Sequence, residues 1–124
     1  FINFDGLHTP DHYSTPYDLS QLARLAIQNS TLRQFVKIKS MKLSDIYGQK
    51  IYKVNSTNEL LGVLPEIEGL KTGWTPEASG SFIALFNLDG HYLISVVAQS
   101  EDRFNDTKIL LNWAKNNLSW RMYQ

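Results

Sequence analysis

The sequence feature that most restricts the fold is a pair of apolar segments, Ser81–Leu88 and His91–Gln99. They are joined by Asp89-Gly90, a dipeptide typical of a tight β-hairpin. Within both segments the apolar residues run almost without alternation, which is typical of strands that are covered on both faces. The pattern therefore predicts an α/β (α+β) fold, in which an antiparallel sheet carries helices on each side.

Helix signals occur on both sides of the predicted hairpin. Thr15 is the predicted N-cap of a helix over about 17–29, with Pro16 at the first helical position and Asp18 three residues after the cap. A second helix, over about 105–117 near the C-terminus, is predicted to cover the sheet as well. Its spacing predicts a buried face formed by Ile109, Leu110, Trp113 and Ala114.

The middle of the chain has weaker patterns. A short helix is predicted over 31–35 and a short strand over 50–54, and no element is assigned between residue 36 and Gly48. A strand-like run follows over 63–70 and leads into Lys71-Thr72-Gly73.

Composition limits the class of protein. A chain of 124 residues with 43% hydrophobic content is a single globular domain or part of one. Its 12 basic residues balance 12 acidic ones, which argues against nucleic acid as the main partner. There is no cysteine, so disulfides and thiol chemistry are excluded. No signal peptide is present. Because the chain opens at Phe1 and not at Met, we expect that an upstream segment has been removed.

Lys71-Thr72-Gly73 has the chemistry of a site that binds a carboxylate. An ammonium attracts a carboxylate and lowers the pKa of neighbouring proton carriers. A threonine hydroxyl can hydrogen-bond the same carboxylate, and a glycine lets a substrate approach the backbone. The tripeptide is one of three motifs of the penicillin-recognising serine enzymes.

Four landmarks, in a fixed order, turn this short motif into a specific signal. Together they resemble the C-terminal half of the catalytic domain of the serine D-alanyl-D-alanine carboxypeptidases, the low-molecular-mass penicillin-binding proteins. The resemblance extends from Asn3 to about Leu118. The landmarks are Asn3-x-x-Gly6-Leu7, His12-Tyr13-Ser14-Thr15-x-x-Asp18-Leu19, Asn55-x-x-Asn58-x-Leu60-Leu61, and Gly69-x-Lys71-Thr72-Gly73-x-Thr75 with Ala78-x-Gly80.

The resemblance implies a fold and a reaction. The fold is the β-lactamase-like transpeptidase domain, an antiparallel sheet with helices on both faces. The reaction is acyl transfer at the D-alanyl-D-alanine end of peptidoglycan stem peptides, outside the cytoplasmic membrane of a bacterium, by a serine that β-lactams trap. Neither a metal nor a cofactor is implied. His8 and His12 lie four residues apart, but Pro10 between them argues against a helical metal site.

The resemblance also assigns residues. Lys71 would attract the terminal carboxylate and help to tune the site, Thr72 would hydrogen-bond that carboxylate, and Gly73 would allow close passage of the substrate. Trp74 would contribute its backbone N–H to the oxyanion hole. Arg103 resembles a basic residue near the substrate carboxylate.

Two motifs of the family are missing from this sequence. No Ser-x-x-Lys occurs, and at Ser40 the lysine position is taken by Leu43. Ser56-Thr57-Asn58 matches Ser-x-Asn, but in the family that motif precedes the Asn-x-x-Gly-Leu landmark, so we do not assign it a catalytic role. We therefore expect an inactive partial domain, residues 1–124, whose nucleophile lies upstream.

Two alternatives stay open at this point. The chain could belong to a D,D-endopeptidase of the same family, or to a non-catalytic module that binds cell-wall peptide or a partner protein. A β-lactamase is disfavoured by the first landmarks.

If helices are missing from one side of the sheet, an exposed edge or face predicts self-association as a homodimer.

Overall fold

The computed structural model describes residues 1–120. Strands β1 and β2 form a two-stranded antiparallel sheet, and β3, β4 and β5 form a three-stranded antiparallel sheet in that order. The elements in chain order are α1 (Pro16–Ala26), α2 (Ser30–Val36), β1 (Ser40–Ser44), β2 (Ile51–Asn55), β3 (Ile67–Thr75), β4 (Ser79–Leu88), β5 (His91–Ser100) and α3 (Arg103–Asn117).

The central strand β4 is covered on both faces, as its lack of alternation predicts. Phe82 and Phe86 pack in one cluster with Phe104 of α3, whereas the neighbouring Ile83 faces a cavity lined by α1 residues such as Leu22. Adjacent residues of a strand point to opposite faces, so α3 lies on one side of the sheet and α1 on the other. The predicted α+β architecture with helices on both faces is confirmed.

Local signals in the sequence also form as predicted. The Thr15 side chain accepts a hydrogen bond from the Asp18 backbone N–H, which gives α1 its N-cap. Asp89 and Gly90 have φ values of 52° and 89° and close the hairpin between β4 and β5. Within residues 1–120, no helix combines the length and the apolar character needed to cross a membrane.

The structure corrects the predicted bounds of α1. Its last residue is Ala26, not Asn29, because Asn29 caps the next helix by accepting a hydrogen bond from the Leu32 backbone N–H. A side chain that caps one helix cannot lie inside the preceding one.

Strand β1 was not predicted. Its five residues alternate weakly, and every residue of β1 and β2 is exposed, so no hydrophobic face distinguishes it from a loop. Its pairing with β2 across a turn is what makes it a strand.

The predicted buried face of α3 is wrong. The helix instead turns Phe104, Thr107, Leu111 and Ala114 toward the sheet. Of the predicted set only Ala114 is buried; Trp113 is 57% exposed, and Ile109 and Leu110 also lie outside the core. Phe104 explains the difference, since its contact with Phe82 fixes the helix rotation.

Candidate functional site

The Lys-Thr-Gly motif lies inside β3, not after the strand as the sequence pattern suggested. Strand β3 begins at Ile67 and continues to Thr75, and Lys71, Thr72 and Gly73 pair with β4. Within residues 1–120, β3 has a partner strand on one side only. Its other edge leaves backbone N–H and C=O groups free to bind an extended peptide.

Lys71 and Thr72 point to opposite faces of the sheet. Lys71 pairs with Ile83 and borders the α1 side, where its ammonium donates to the Thr72 carbonyl oxygen. Thr72 pairs with Phe82 and is buried on the α3 side. Its Oγ1 lies 2.5 Å from Oγ1 of Thr57. The two residues therefore present an ammonium and a hydroxyl on either side of one free edge.

Gly73 has no side chain, although no neighbour among residues 1–120 would clash with one. A methyl group built on Gly73 would meet only Cβ of Ser81, at 3.9 Å, which is ordinary van der Waals contact. The open space over Gly73 is thus available to a ligand. The next residue, Trp74, exposes 63% of its surface and points to the opposite face of the sheet, the face of Thr72.

Arg103 lies at the end of the same strand pair. Its guanidinium contacts Gly80, which pairs with Trp74 of β3. It also stacks on the ring of Phe104, with Cζ 4.6 Å from the ring centroid, and Nε is buried without a hydrogen-bond partner in the described residues. Phe104 belongs to the α3 side, so Arg103 shares the face of the sheet that Thr72 occupies.

Glu68, on the strand that carries the motif, forms ion pairs with Arg33 of helix α2 and with Lys37 just after it. Its carboxylate lies 2.8 Å from Nζ of Lys37 and 3.3 Å from Nη2 of Arg33, and it accepts a hydrogen bond from Asn87. Burial alone would raise the pKa of Glu68, but the hydrogen bonds from Lys37 and Asn87 outweigh it and hold that pKa below its ordinary value. The ion pairs therefore fix the strand three residues before Lys71.

Ser56 and Asn58 hold a turn and do not form a catalytic pair. The Ser56 hydroxyl accepts from the Asn58 backbone N–H, and the Asn58 side chain, which is buried, accepts from the Leu60 backbone N–H. Between them, Thr57 reaches Thr72. This turn brings the Asn-x-x-Asn landmark against the motif strand.

The two N-terminal landmarks also meet. Nδ1 of His12 accepts hydrogen bonds from the backbone N–H groups of Asn3, at 3.5 Å, and Ile2, at 2.9 Å. The Asn3 side-chain amide donates to the Leu7 carbonyl and the Thr9 hydroxyl. His12 thus holds the loop before α1. No cluster of three or more histidine, cysteine or acidic residues that could hold a metal occurs among residues 1–120.

Sequence reasoning missed the contacts that Thr57, Glu68 and Gly80 make at the site, although Gly80 belongs to the fourth landmark. Each acts through a contact between distant segments: Thr57 with Thr72, Glu68 with α2, and Gly80 with Arg103. For Glu68 and Gly80 the sequence offered a signal, since Glu68 lies three residues before Lys71 and Gly80 lies within that landmark. For Thr57 the sequence offers none, because its partner is known only once the turn is folded.

Known proteins resemble this chain in sequence and in fold. A family model described as D-alanyl-D-alanine carboxypeptidase matches residues 1–102. The D-alanyl-D-alanine carboxypeptidase of Streptomyces sp. (strain K15) is 32% identical over 122 residues, covering 91% of this chain and 41% of the relative. The crystal structure of the Streptomyces K15 DD-transpeptidase has a TM-score of 0.85 at 31% identity, covering 94% of this chain and 47% of that one.

A second solved structure is similar. Penicillin-binding protein D2 from Listeria monocytogenes, in its cefotaxime-bound form, has a TM-score of 0.75 at 30% identity, covering 90% of this chain and 46% of that one. The fold is thus that of the penicillin-binding DD-peptidases, as predicted. The chain belongs to the D-alanyl-D-alanine carboxypeptidase family. It spans less than half the length of these relatives.

Proposed function

We propose that this chain is the C-terminal part of the catalytic domain of a serine-type D-Ala-D-Ala carboxypeptidase that trims peptidoglycan stem peptides. The observation that carries the proposal is the position of Lys71-Thr72-Gly73 in a strand with a free edge, in a chain of this family. A peptide that ends in D-Ala-D-Ala would lie along that edge as an added strand.

Each site residue then has a role. Thr72 and Arg103, on one face of the sheet, bind the terminal carboxylate by a hydrogen bond and by charge. Lys71, on the other face, adds positive potential at the strand edge and lowers the pKa of proton carriers that approach it. Gly73 leaves room for the peptide, and the backbone N–H of Trp74 supplies half of the oxyanion hole.

The nucleophile comes from outside these 124 residues, since the sequence contains no Ser-x-x-Lys. The serine oxygen attacks the penultimate carbonyl carbon, the peptide C–N bond breaks, and D-alanine leaves with a proton on its nitrogen. Water then cleaves the ester, which releases the shortened peptide and restores the serine. On its own, the chain binds but does not turn over substrate.

The partners and the location follow from this reaction. The substrate is a peptidoglycan stem peptide, and β-lactams act as inhibitors because their strained amide resembles the D-Ala-D-Ala bond. The similar Listeria protein in its cefotaxime-bound form supports the second point. The enzyme works on the outer side of the cytoplasmic membrane of a bacterium, where peptidoglycan lies.

Two other functions share much of this evidence. A D,D-endopeptidase would use the same strand on a cross-linked peptide, and a non-catalytic module would bind the peptide without a serine. Comparing linear with cross-linked stem peptides separates the two enzymes, and a missing acyl-enzyme identifies the module.

We also propose that the isolated 124-residue chain forms a homodimer. The α1 side of the sheet has an open apolar cavity of about 330 Å³, lined by Phe1, Leu22, Val36 and Ile83 among others. Two copies would cover these side chains from water. Light scattering should give a mass that rises with concentration; a monomer at every concentration contradicts the proposal.

The enzymatic proposal is tested by release of D-alanine. The full-length protein from the same gene should release D-alanine from a diacylated L-Lys-D-Ala-D-Ala peptide and not from its L-Ala-L-Ala isomer. Lys71→Ala should lower kcat/KM by about a hundredfold, since the loss of one preorganised charge costs about that much. Lys53→Ala, on exposed strand β2, is the matched control. Equal rates for Lys71→Ala and the unmodified protein would reject the role of Lys71.

A further inference from the structure

The hydroxyl of Thr72 forms a hydrogen bond with the hydroxyl of a second threonine, Thr57. Oγ1 of Thr57 lies 2.5 Å from Oγ1 of Thr72, and the two residues come from different segments of the chain. Thr57 itself is exposed, whereas Thr72 exposes only 9% of its surface. Thr57 is therefore the more accessible partner of this hydroxyl pair, on the α3 side of β3.

A threonine hydroxyl has one proton to donate and two lone pairs that can accept. In a pair of hydroxyls, only one of them donates to the other. If Thr72 donated to Thr57, its lone pairs would face the substrate and repel a carboxylate. If Thr57 donates to Thr72, the single proton of Thr72 is free to point at the substrate.

We propose that Thr57 is a positioning residue that donates its proton to Thr72 and so directs the Thr72 hydroxyl proton toward the substrate carboxylate. This inference rests on the proposed carboxypeptidase function and adds a residue outside the Lys-Thr-Gly motif. A donor that is itself accepting a hydrogen bond is also a stronger donor. Thr57 thus both orients and strengthens the contact that Thr72 makes.

The turn around Thr57 is built to hold this hydroxyl in place. The Ser56 backbone N–H donates to the Lys39 carbonyl oxygen at 2.8 Å, and the Asn58 backbone N–H donates to the Ser56 hydroxyl at 3.1 Å. Asn58 is buried. With both neighbours fixed, the position of Thr57 is set by the fold itself.

The test compares two acylating agents that differ only in their carboxylate. In the full-length protein, we would measure the acylation rate constant with benzylpenicillin and with its methyl ester. Thr57→Val keeps the shape of the side chain but removes the donor. It should slow acylation by benzylpenicillin about tenfold, the loss typical of one hydrogen bond to a charged group, and by the ester less than about twofold. Thr57→Ser restores the donor and should restore the rate.

Two controls complete the design. Thr31→Val makes the same change on exposed helix α2, where it should alter neither rate. Thr57→Ala removes the donor with a smaller side chain and should repeat the selective loss if Thr57→Val fails to fold.

The outcomes separate this inference from the proposed function. If the unmodified protein is acylated and Thr57→Val slows both agents equally, or slows neither, Thr57 does not act through the carboxylate and the inference is overturned. If the unmodified protein reacts with neither agent, the proposed function itself fails and the inference falls with it.

Discussion

The guanidinium of Arg103 packs directly on Gly80: a methyl group built on Gly80 would lie 3.2 Å from Nη1 of Arg103 and 2.7 Å from the Ser100 carbonyl oxygen. A Cβ essentially never comes so close to a backbone oxygen, so only glycine fits this position. Gly80 pairs with Trp74, the residue after the Lys-Thr-Gly motif. The missing side chain at Gly80 thus lets the guanidinium of Arg103 approach the end of β3.

From this contact we predict that Arg103→Gln weakens recognition of a free C-terminal carboxylate. In the full-length protein, kcat/KM for a peptide ending in D-Ala-D-Ala should fall by about a hundredfold, because one partner of a charge pair is lost. For the same peptide with an amidated C-terminus the loss should be small. Arg24→Gln, on the exposed surface of α1, is the control. An equal loss on both peptides would assign Arg103 a purely structural role.

Substitution by alanine should destabilise the protein at one glycine of β3, Gly69, and have little effect on stability at another, Gly73. Gly69 has a φ of 140°, and a Cβ there would meet Val36 at 2.9 Å, whereas a Cβ on Gly73 meets only Ser81 at 3.9 Å. Gly69→Ala should lower the free energy of unfolding by about 2 kcal/mol or more. Gly73→Ala should leave it within about 0.5 kcal/mol of the unmodified protein.

The effect on activity does not follow the effect on stability, because Gly73→Ala should impair acylation although it leaves the free energy of unfolding nearly unchanged. Gly73→Ala should lose most of its acylation by benzylpenicillin while remaining folded, because the methyl group enters the space that the substrate needs. Urea unfolding and acylation kinetics on the same samples check both expectations. Full activity in Gly73→Ala would mean that the substrate does not pass over this residue.

The ion pairs of Glu68 predict a pH-dependent contribution to stability. Because hydrogen bonds from Lys37 and Asn87 outweigh burial and hold the pKa of Glu68 below its ordinary value of 4.5, the ionised form is favoured in the folded state. This stabilisation is complete above pH 4.5, declines as the pH falls below that value, and is lost once the pH passes the folded-state pKa.

Glu68→Gln should therefore destabilise the protein by about 1 kcal/mol at pH 7, a modest value since both cationic partners are partly exposed. The difference from the unmodified protein should shrink as the pH is lowered toward 4. Urea unfolding from pH 7 to pH 4 measures it. Glu77→Gln, in an exposed turn and outside any ion pair of the described residues, serves as the control. A difference that stays constant with pH would contradict the account.

The elements that the sequence predicted well are those with strong local chemistry. The hairpin at Asp89-Gly90 and the cap of α1 at Thr15 depend on residues next to each other in the chain, so short patterns suffice. The helix cover on both faces followed from the unbroken apolar run in β4, which a half-exposed strand does not tolerate.

The elements that could not be predicted depend on distant contacts. The rotation of α3 is set by the packing of Phe104 on Phe82, and the periodicity of the helix alone favoured another face. In the site, Lys71, Thr72 and Gly73 were found from the motif, whereas Thr57 became visible only when the turn brought it to Thr72. Their assigned roles stay predictions until variants are measured.

The central claim is that the Lys71-Thr72-Gly73 strand serves a serine located outside these 124 residues. Intact mass after incubation with benzylpenicillin tests it directly, on the 124-residue chain beside the full-length protein. We expect the full-length mass to increase by the mass of one penicillin and the mass of the short chain to stay unchanged. A shift of the short chain would mean that one of its own serines is reactive, and the absence of a shift in both would favour a non-catalytic binding module; either result would contradict the account.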